Sequence, residues 1–238
     1  MTYKIAILGD FNPANSLHHA LNDSIRHVQN QLDDELQCDW ISTDIFDCKI
    51  AFNGLYSGLW IVPGSPYKSM EGVINAIHYT RINKIPTLGT CAGFQHMLIE
   101  FARNVCGIKK ANHEETSLHT ADPVISKLSC SLVGQEEELT VIDKESKLFK
   151  LIKETKFKGK YHCNYGLNND YVDILKQNGC SITVVSDSGE ARAFEIKSHP
   201  FFLGTLFQTP LASSYENPNP VIMDFIKSCI VYSKKQGL

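Results

Sequence analysis

The feature that most constrains this chain is a glycine–cysteine–glycine pattern at the end of an apolar strand. Residues 85–95 read IPTLGTCAGFQ, in which Gly89 and Gly93 flank Cys91. A strand that passes directly into a helix brings the two backbones too close for a Cβ, so that glycine is required at both positions. The pattern G-x-C-x-G is the thiol form of the nucleophile elbow. The alternative interpretation is a buried cysteine at an ordinary strand–helix junction.

An elbow of this kind favours nucleophilic chemistry at the sulfur. Cys91 would lie at a helix N-terminus, where the helix dipole stabilises a thiolate. The backbone N–H of Ala92 would point to the place where an oxyanion forms, and the flexible Gly64, after the apolar stretch that ends at Val62, could supply a second donor. We therefore predict that Cys91 is a nucleophile and that Gly64 and Ala92 form an oxyanion hole.

The rest of the sequence predicts a single α/β domain over residues 1–238. Strand patterns over 4–9, 39–45, 58–62 and 86–90 alternate with helical patterns over 17–32, 70–83 and 94–105, which is typical of a parallel sheet covered by helices. The second half differs, with strand patterns over 131–141 and 201–207, a hairpin over 182–185 and 191–196, and a closing helix over 221–233. No internal repeat interrupts this order.

Composition excludes several classes of function. The net charge of −3 gives no electrostatic reason to expect nucleic acid or an anionic membrane as a partner. No apolar run is long enough to cross a bilayer, and the N-terminal apolar run is too short for a signal peptide. The eight cysteines contain no Cys-x-x-Cys pair, so we expect reduced thiols, a cytoplasmic location and no bound metal or cofactor. Apart from Cys91, the cysteines are expected to be structural.

Several segments together resemble a known family. Residues 61–72, 85–95, 101–105, 111–112 and 198–204 are similar to the class I glutamine amidotransferase family, in particular to the glutaminase domain of CTP synthase. The resemblance covers nearly the whole chain. It implies a flavodoxin-like fold with a central, mainly parallel sheet, helices on both faces and a small antiparallel extension. The synthetase half of such enzymes has no counterpart in the sequence.

The resemblance also assigns roles to individual positions. Cys91 falls on the nucleophile, and Gly64 and Ala92 fall on the oxyanion hole. Substrate-binding positions of the family fall on Ser65, Gln95, Glu115, Asn164 and Tyr165, with the glutamate contacting the substrate amino group.

Four of the family's positions, in three motifs, are changed. Gln208 and Pro210 stand where the family has the histidine and glutamate that complete its triad. Asn164 replaces the arginine that pairs with the substrate carboxylate, and Ser65 replaces the second glycine of the oxyanion loop. A glutamine side chain lacks the basicity of a general base, so that ordinary glutaminase activity is not expected to be efficient.

Two histidines could supply the missing base. His113, with Glu114 or Glu115 to orient it, could rebuild a Cys–His–carboxylate triad, because triads are defined by geometry and not by chain order. His162 is the alternative, since it lies two residues before Asn164 and would share a face with it in an extended segment. For both histidines, a purely structural role is the competing interpretation.

Three functions follow from these observations. The first is a cysteine hydrolase that acts on a small amine or amide substrate. The second is a binding or regulatory module that has kept the fold without the chemistry. The third is a glutaminase subunit that supplies a separate synthetase chain.

Overall fold

The computed structural model describes residues 2–237, and the first half alternates strands and helices as predicted. Its elements, in chain order, are β1 (Thr2–Leu8), α1 (Ser16–Gln29), β2 (Glu35–Ile41), α2 (Cys48–Ala51), β3 (Leu59–Ile61), α3 (Met70–Ile82), β4 (Thr87–Thr90) and α4 (Ala92–Asn104). One boundary differs clearly from the prediction, because β2 ends at Ile41 and not at residue 45. Ser42 and Thr43 instead bind the Asp10 carboxylate at 2.6 and 2.9 Å, which turns the chain away from the sheet.

The second half is richer in short elements than the sequence pattern indicates. It contains β5 (Ala111–His113), β6 (Asp122–Lys127), β7 (Glu136–Val141), α5 (Lys147–Ile152), β8 (Lys156–Lys160), β9 (Tyr165–Leu167), α6 (Val172–Gln177), β10 (Ser181–Ser186), β11 (Ala191–Glu195), β12 (Phe202–Thr205) and α7 (Pro220–Gln236). The predicted hairpin is formed by β10 and β11, and the predicted closing helix is α7. The predicted strand over 131–141 begins only at Glu136.

The central sheet has nine strands in the order β2-β1-β3-β4-β12-β11-β10-β7-β8. Its pairs from β2 to β12 are parallel, and those from β12 to β8 are antiparallel. A second sheet of three strands, β5-β6-β9, lies beside it. This arrangement confirms the predicted α/β class with a largely parallel sheet and an antiparallel extension.

The helices form two packed groups, and one hydrophobic core continues through both halves of the chain. α3 packs on α4, whereas α1 and α5 both pack on α7. On β3, the buried Trp60 ring meets Phe225 of α7 at 6.0 Å between centroids. No helix within residues 2–237 has the length and apolar character that crossing a membrane would require.

The strand order places the candidate nucleophile between two parallel neighbours. β4, which leads into Cys91, pairs with β3 on one side and with β12 on the other. Because parallel strands end at the same edge of a sheet, the segments after β3, β4 and β12 converge there. Those segments carry Gly64, Cys91 and Gln208 respectively.

Candidate active site

Cys91 occupies a strained turn between β4 and α4. Its φ of 53° and ψ of −106° lie in a region that residues other than glycine rarely adopt. The turn is held by the backbone N–H of Cys91, which donates to the Thr205 carbonyl of β12 at 2.8 Å. A Cβ added to Gly93 would lie 2.3 Å from the Ile61 carbonyl oxygen, and one added to Gly89 would lie 2.3 Å from the Met97 sulfur. The close approach that the sequence pattern predicts is therefore present.

Cys91 opens into a cavity of about 240 Å³. The cavity brings together most of the predicted site residues, namely Gly64, Ser65, Cys91, Gln95, Glu115, His162, Asn164 and Tyr165. It is also lined by Cys163, which sequence reasoning had assigned a structural role. Pro210 lies elsewhere, buried in a single-turn 3₁₀ helix (Thr209–Ala212) after β12.

The loop of Gly64 is supported by the buried side chain of His18. Gly64 has φ of +124°, which a residue with a side chain would adopt only with strain. His18 is 2% exposed, and its Nε2 donates to the Pro63 carbonyl at 3.0 Å while its Nδ1 accepts the Asn12 N–H. Because this imidazole fixes the peptide that precedes Gly64, it positions one of the two candidate oxyanion donors.

His113, the first candidate base, is engaged away from the sulfur. Its Nδ1 accepts the backbone N–H of Glu115 at 3.1 Å, so the other nitrogen, Nε2, carries the proton and donates to Oε1 of Gln95 at 3.1 Å. Burial, reinforced by neighbouring His96, lowers the pKa of His113 to about 3. A neutral imidazole with both nitrogens bonded does not accept a proton from Cys91. Its role here is to fix Gln95, whose Nε2 donates to the Tyr165 carbonyl at 2.8 Å.

The two candidate orienting carboxylates also lie apart from the His113 ring. Glu114 accepts the Lys127 backbone N–H at 2.7 Å, on the side of strand β6. The exposed Glu115 accepts the hydroxyl of Ser65 at 3.0 Å and stands on the cavity wall. The predicted pairing of His113 with a carboxylate is therefore not formed.

His162, the alternative base, does line the cavity. Its carbonyl oxygen lies 3.9 Å from the Cys91 sulfur, and its side chain is exposed. In the segment 161–164 Tyr161 and Cys163 are buried, whereas His162 and Asn164 are exposed. The expected alternation of an extended segment is present, and it turns Cys163 inward to the protein.

The pKa of Cys91 is lower than that of an ordinary cysteine. A hydrogen bond from the Cys163 thiol is the largest cause that lowers the pKa of Cys91; burial opposes it, and the Ala92 N–H and the Gln208 amide lower the pKa further. The same bond and burial raise the pKa of Cys163 well above its usual range, so Cys163 keeps its proton and donates. These donors favour the thiolate form of Cys91, against the opposing effect of burial.

Gln208 stands at the end of β12 with little else to bind. It is 2% exposed, and its Nε2 has no hydrogen-bond partner among the described residues. A buried amide without a partner is costly, commonly by about 1–3 kcal/mol, unless a group or ligand in the site accepts its N–H. A molecule bound at Cys91, which lies close enough to Gln208 for the amide to lower its pKa, would supply that acceptor.

A buried arginine lies behind the segment that carries Cys163. Arg192 of β11 is 2% exposed and pairs with Glu137 at 2.9 Å and with Glu190 at 2.8 Å. Its guanidinium lies 5.9 Å from the centroid of the Tyr161 ring and acts to lower the pKa of Cys163, against the larger effect of Cys91. Within residues 2–237, no cluster of three or more histidine, cysteine or carboxylate side chains is arranged to hold a metal ion.

Comparison with known proteins agrees with this geometry. The family model for class I glutamine amidotransferases matches residues 15–205. A CTP synthase of Sulfurisphaera tokodaii is 34% identical over 236 residues, which cover 94% of this chain and 44% of that protein. A CTP synthase of Nautilia profundicola is 30% identical, covering 94% and 46%. This chain therefore spans less than half the length of these curated relatives.

Solved structures show the same fold. The glutaminase domain of Trypanosoma brucei CTPS with bound acivicin superposes with a TM-score of 0.89 at 23% identity, covering 96% of this chain and 94% of that one. A glutamine amidotransferase of Thermotoga maritima gives a TM-score of 0.58 at 10% identity, covering 99% and 86%. The chain belongs to the class I glutamine amidotransferase family and is similar to the glutaminase part of CTP synthases.

Proposed function

We propose that this protein is a cysteine hydrolase that cleaves the C–N bond of a small amide substrate bearing an amino group. The observation that carries the proposal is a thiol of lowered pKa on a strained elbow, opening into a small cavity. A lowered pKa increases the ionised fraction of the thiol, and the thiolate is the attacking species. A structural cysteine buried at the same depth has its pKa raised, as that of Cys229 is.

The first half of the proposed reaction uses the elbow and its oxyanion donors. The Cys91 thiolate attacks the substrate carbonyl carbon, and the N–H groups of Gly64 and Ala92 stabilise the negative charge that develops on the oxygen. Collapse of this intermediate breaks the C–N bond, leaves a thioester on Cys91 and releases ammonia or an amine. Water then hydrolyses the thioester.

A proton must reach the departing nitrogen, and two groups in the cavity can supply it. Cys163 already donates to the Cys91 sulfur and loses that acceptor charge once the sulfur is acylated. Its proton then becomes easier to release, an effect that Arg192 favours. The His162 side chain is the second source, because its residue lines the cavity and is exposed.

The substrate class follows from the charges on the cavity wall. The Glu115 carboxylate suits an ammonium group, whereas the neutral Asn164 offers no charge for a free carboxylate. A matched pair of substrates tests this inference: L-glutamine, which has a free α-carboxylate, and its α-carboxamide, which does not. We expect the carboxamide to be the better substrate.

The test is ammonia release from this pair and from other small amino amides, with Cys91→Ser as the inactive variant. Cys130→Ser, which changes an exposed thiol outside the cavity, is the control that should keep full activity. A thioester on residue 91, detected by mass spectrometry, would support the proposal directly. Neither thioester nor Cys91-dependent ammonia from any amide would refute it. His162→Ala and Cys163→Ser then decide between the two proton donors.

Two other functions have specific observations in their favour. Gln208 at the family's histidine position and the engaged nitrogens of His113 favour a non-catalytic binding module. Ligand binding to the wild type without turnover, measured by calorimetry, would identify that case. The match to less than half of each CTP synthase favours a glutaminase subunit for a separate synthetase chain. Ammonia release from L-glutamine that appears only with a synthetase present would identify this one.

A further inference from the structure

The thiols of Cys91 and Cys163 line the same cavity, which the sequence alone does not predict. Cys91 is 6% exposed and Cys163 is 7% exposed, and both line the same cavity of about 240 Å³. The Cys91 sulfur lies 3.9 Å from the carbonyl oxygen of His162, the residue bonded to Cys163. Both cysteines are free, and the Cys163 thiol is close enough to Cys91 to lower its pKa. Cys91 lies on the rigid elbow, and Cys163 lies on the connection between β8 and β9.

A second pair of cysteines provides a comparison within the molecule. Cys106 and Cys180 are close enough to affect each other electrostatically, and both are free. Burial raises the pKa of each, and the Cys106 thiol lies near the Ile174 carbonyl, at 3.8 Å, and not in the cavity. These two thiols are close in space, but the pKa of each is raised and not lowered. They are a matched control for proximity alone.

We propose that Cys91 and Cys163 form a dithiol site that reduces small hydroperoxides, with Cys91 attacking the peroxide and Cys163 closing an intramolecular disulfide. This inference goes beyond the proposed hydrolase function and does not depend on it, since no amide substrate takes part. It requires one nucleophilic sulfur, one resolving thiol and room for a small oxidant, and the cavity contains all three.

The chemistry balances in two steps. The Cys91 thiolate attacks one oxygen of the hydroperoxide, which breaks the O–O bond, forms a sulfenic acid on Cys91 and, with one proton, releases an alcohol or water. The sulfur of Cys163 then attacks the sulfenic sulfur, which forms the S–S bond and releases water. The two thiols lose two electrons in total, and the peroxide gains them. An external dithiol returns the site to its reduced state by thiol–disulfide exchange.

The surroundings of the two sulfurs assist both steps. The N–H of Ala92 and the buried amide of Gln208 face the elbow, where they can donate to the oxygen that leaves the peroxide. Oxidation of Cys91 removes the negative charge that keeps Cys163 protonated, and the guanidinium of Arg192 then favours the Cys163 thiolate. The resolving thiol is therefore activated by the first step.

The test maps disulfides in the full chain after exposure to hydrogen peroxide. Cleavage by trypsin places Cys91 in the peptide 85–103 and Cys163 in the peptide 161–176, each with one cysteine. We expect these two peptides to become linked, the chain to lose two hydrogen atoms in mass, and its free thiols to fall from eight to six. Treatment with dithiothreitol should reverse all three changes.

The control pair lies in the peptides 104–109 and 177–192, which should stay unlinked under the same conditions. In Cys163→Ser the sulfenic acid on Cys91 should persist and be trapped by dimedone, whereas Cys91→Ser should leave Cys163 reduced. Peroxide consumption in the presence of dithiothreitol should fall about ten-fold or more in Cys91→Ser, because the thiolate is the reactive form. Thermal unfolding of each variant establishes that it is folded.

Two results would overturn the proposal. The first is that Cys91 and Cys163 stay unlinked in the wild type at a peroxide concentration that oxidises Cys91 in the Cys163→Ser variant. The other is linkage of Cys106 to Cys180 at the same rate, which would show proximity and not site chemistry. Loss of amide hydrolysis in every assay would refute the hydrolase and leave this proposal intact, because disulfide mapping needs no amide.

Discussion

Replacing Cys163 by alanine should make the nucleophile at position 91 less acidic. The Cys163 thiol provides the largest of the contributions that lower the pKa of Cys91, and alanine removes this donor without adding a charge. A hydrogen bond to a charged group contributes about 1.5–3 kcal/mol, and a thiol is a weak donor, so the lower end of this range applies. At about 1.4 kcal/mol per pKa unit, the pKa of Cys91 should rise by about one unit.

The assay is the rate of iodoacetamide alkylation at residue 91, followed by mass spectrometry of the peptide 85–103 across a range of pH. Only the thiolate reacts, so at any pH below both pKa values the variant should react about ten-fold more slowly. Above both pKa values the two rates should converge. Cys163→Ser is the matched control, because its hydroxyl is still a donor and should keep the pKa of Cys91 low.

An unchanged titration curve in Cys163→Ala would refute this account of the site. It would mean that the helix end, Ala92 and Gln208 alone hold the thiolate. A slower rate at all pH values, without a shift of the curve, would instead indicate altered access to the cavity. The thermal unfolding midpoint separates both results from a general loss of structure.

Three further predictions concern the base, the elbow and the buried imidazoles. Gln208→His should increase Cys91-dependent ammonia release by about 10²–10⁴-fold, because it places an imidazole at the end of β12; an unchanged rate would contradict the importance of the missing base. Gly93→Ala should lower the free energy of unfolding in urea by about 1–3 kcal/mol, since its Cβ would lie 2.3 Å from a backbone oxygen, and an unchanged midpoint would exclude that crowding. Burial lowers the pKa of His96 to about 4 and that of His113 to about 3, against an ordinary 6.5. The unfolded chain therefore binds protons at these imidazoles below pH 6.5, whereas the folded protein does not until a lower pH. The free energy of unfolding should be full above pH 6.5 and lower by about 2 kcal/mol for each imidazole at pH 5. Equal urea midpoints at pH 7 and pH 5 would refute this prediction.

The elbow could be predicted from sequence because its constraint is local. A strand, a turn and a helix within nine residues leave no space for side chains at Gly89 and Gly93, and the sequence records that directly. The alternation of strands and helices in the first half could also be predicted, because each element is long enough to show the periodicity of its apolar residues. The end of β2 was misplaced because Asp10, more than thirty residues away, determines it through its hydrogen bonds.

The part of the site that could not be predicted depends on contacts between distant segments. The sequence predicts the alternation of residues 161–164, but no local signal indicates which pair of side chains faces inward. The placement of Cys163 beside the nucleophile is therefore visible only in the structure. The burial of His18 depends on the loop after β3, so the sequence of α1 alone does not indicate it. The nitrogens of His113 are engaged by Gln95 and by its own neighbour Glu115, a geometry visible only in three dimensions.

The placement of Cys91 between β3 and β12 has a consequence for the timing of motions at the site. The strands that flank Cys91 belong to the five parallel strands of the central sheet. Their amide hydrogens should therefore exchange with solvent only when the sheet itself opens. The segment 161–164 is held instead by single backbone bonds to residues 128–135, at Leu128, Leu132, Gly134 and Gln135. Its amides should exchange much faster. Entry and exit of small molecules are then governed by one wall of the cavity, while the nucleophile stays still.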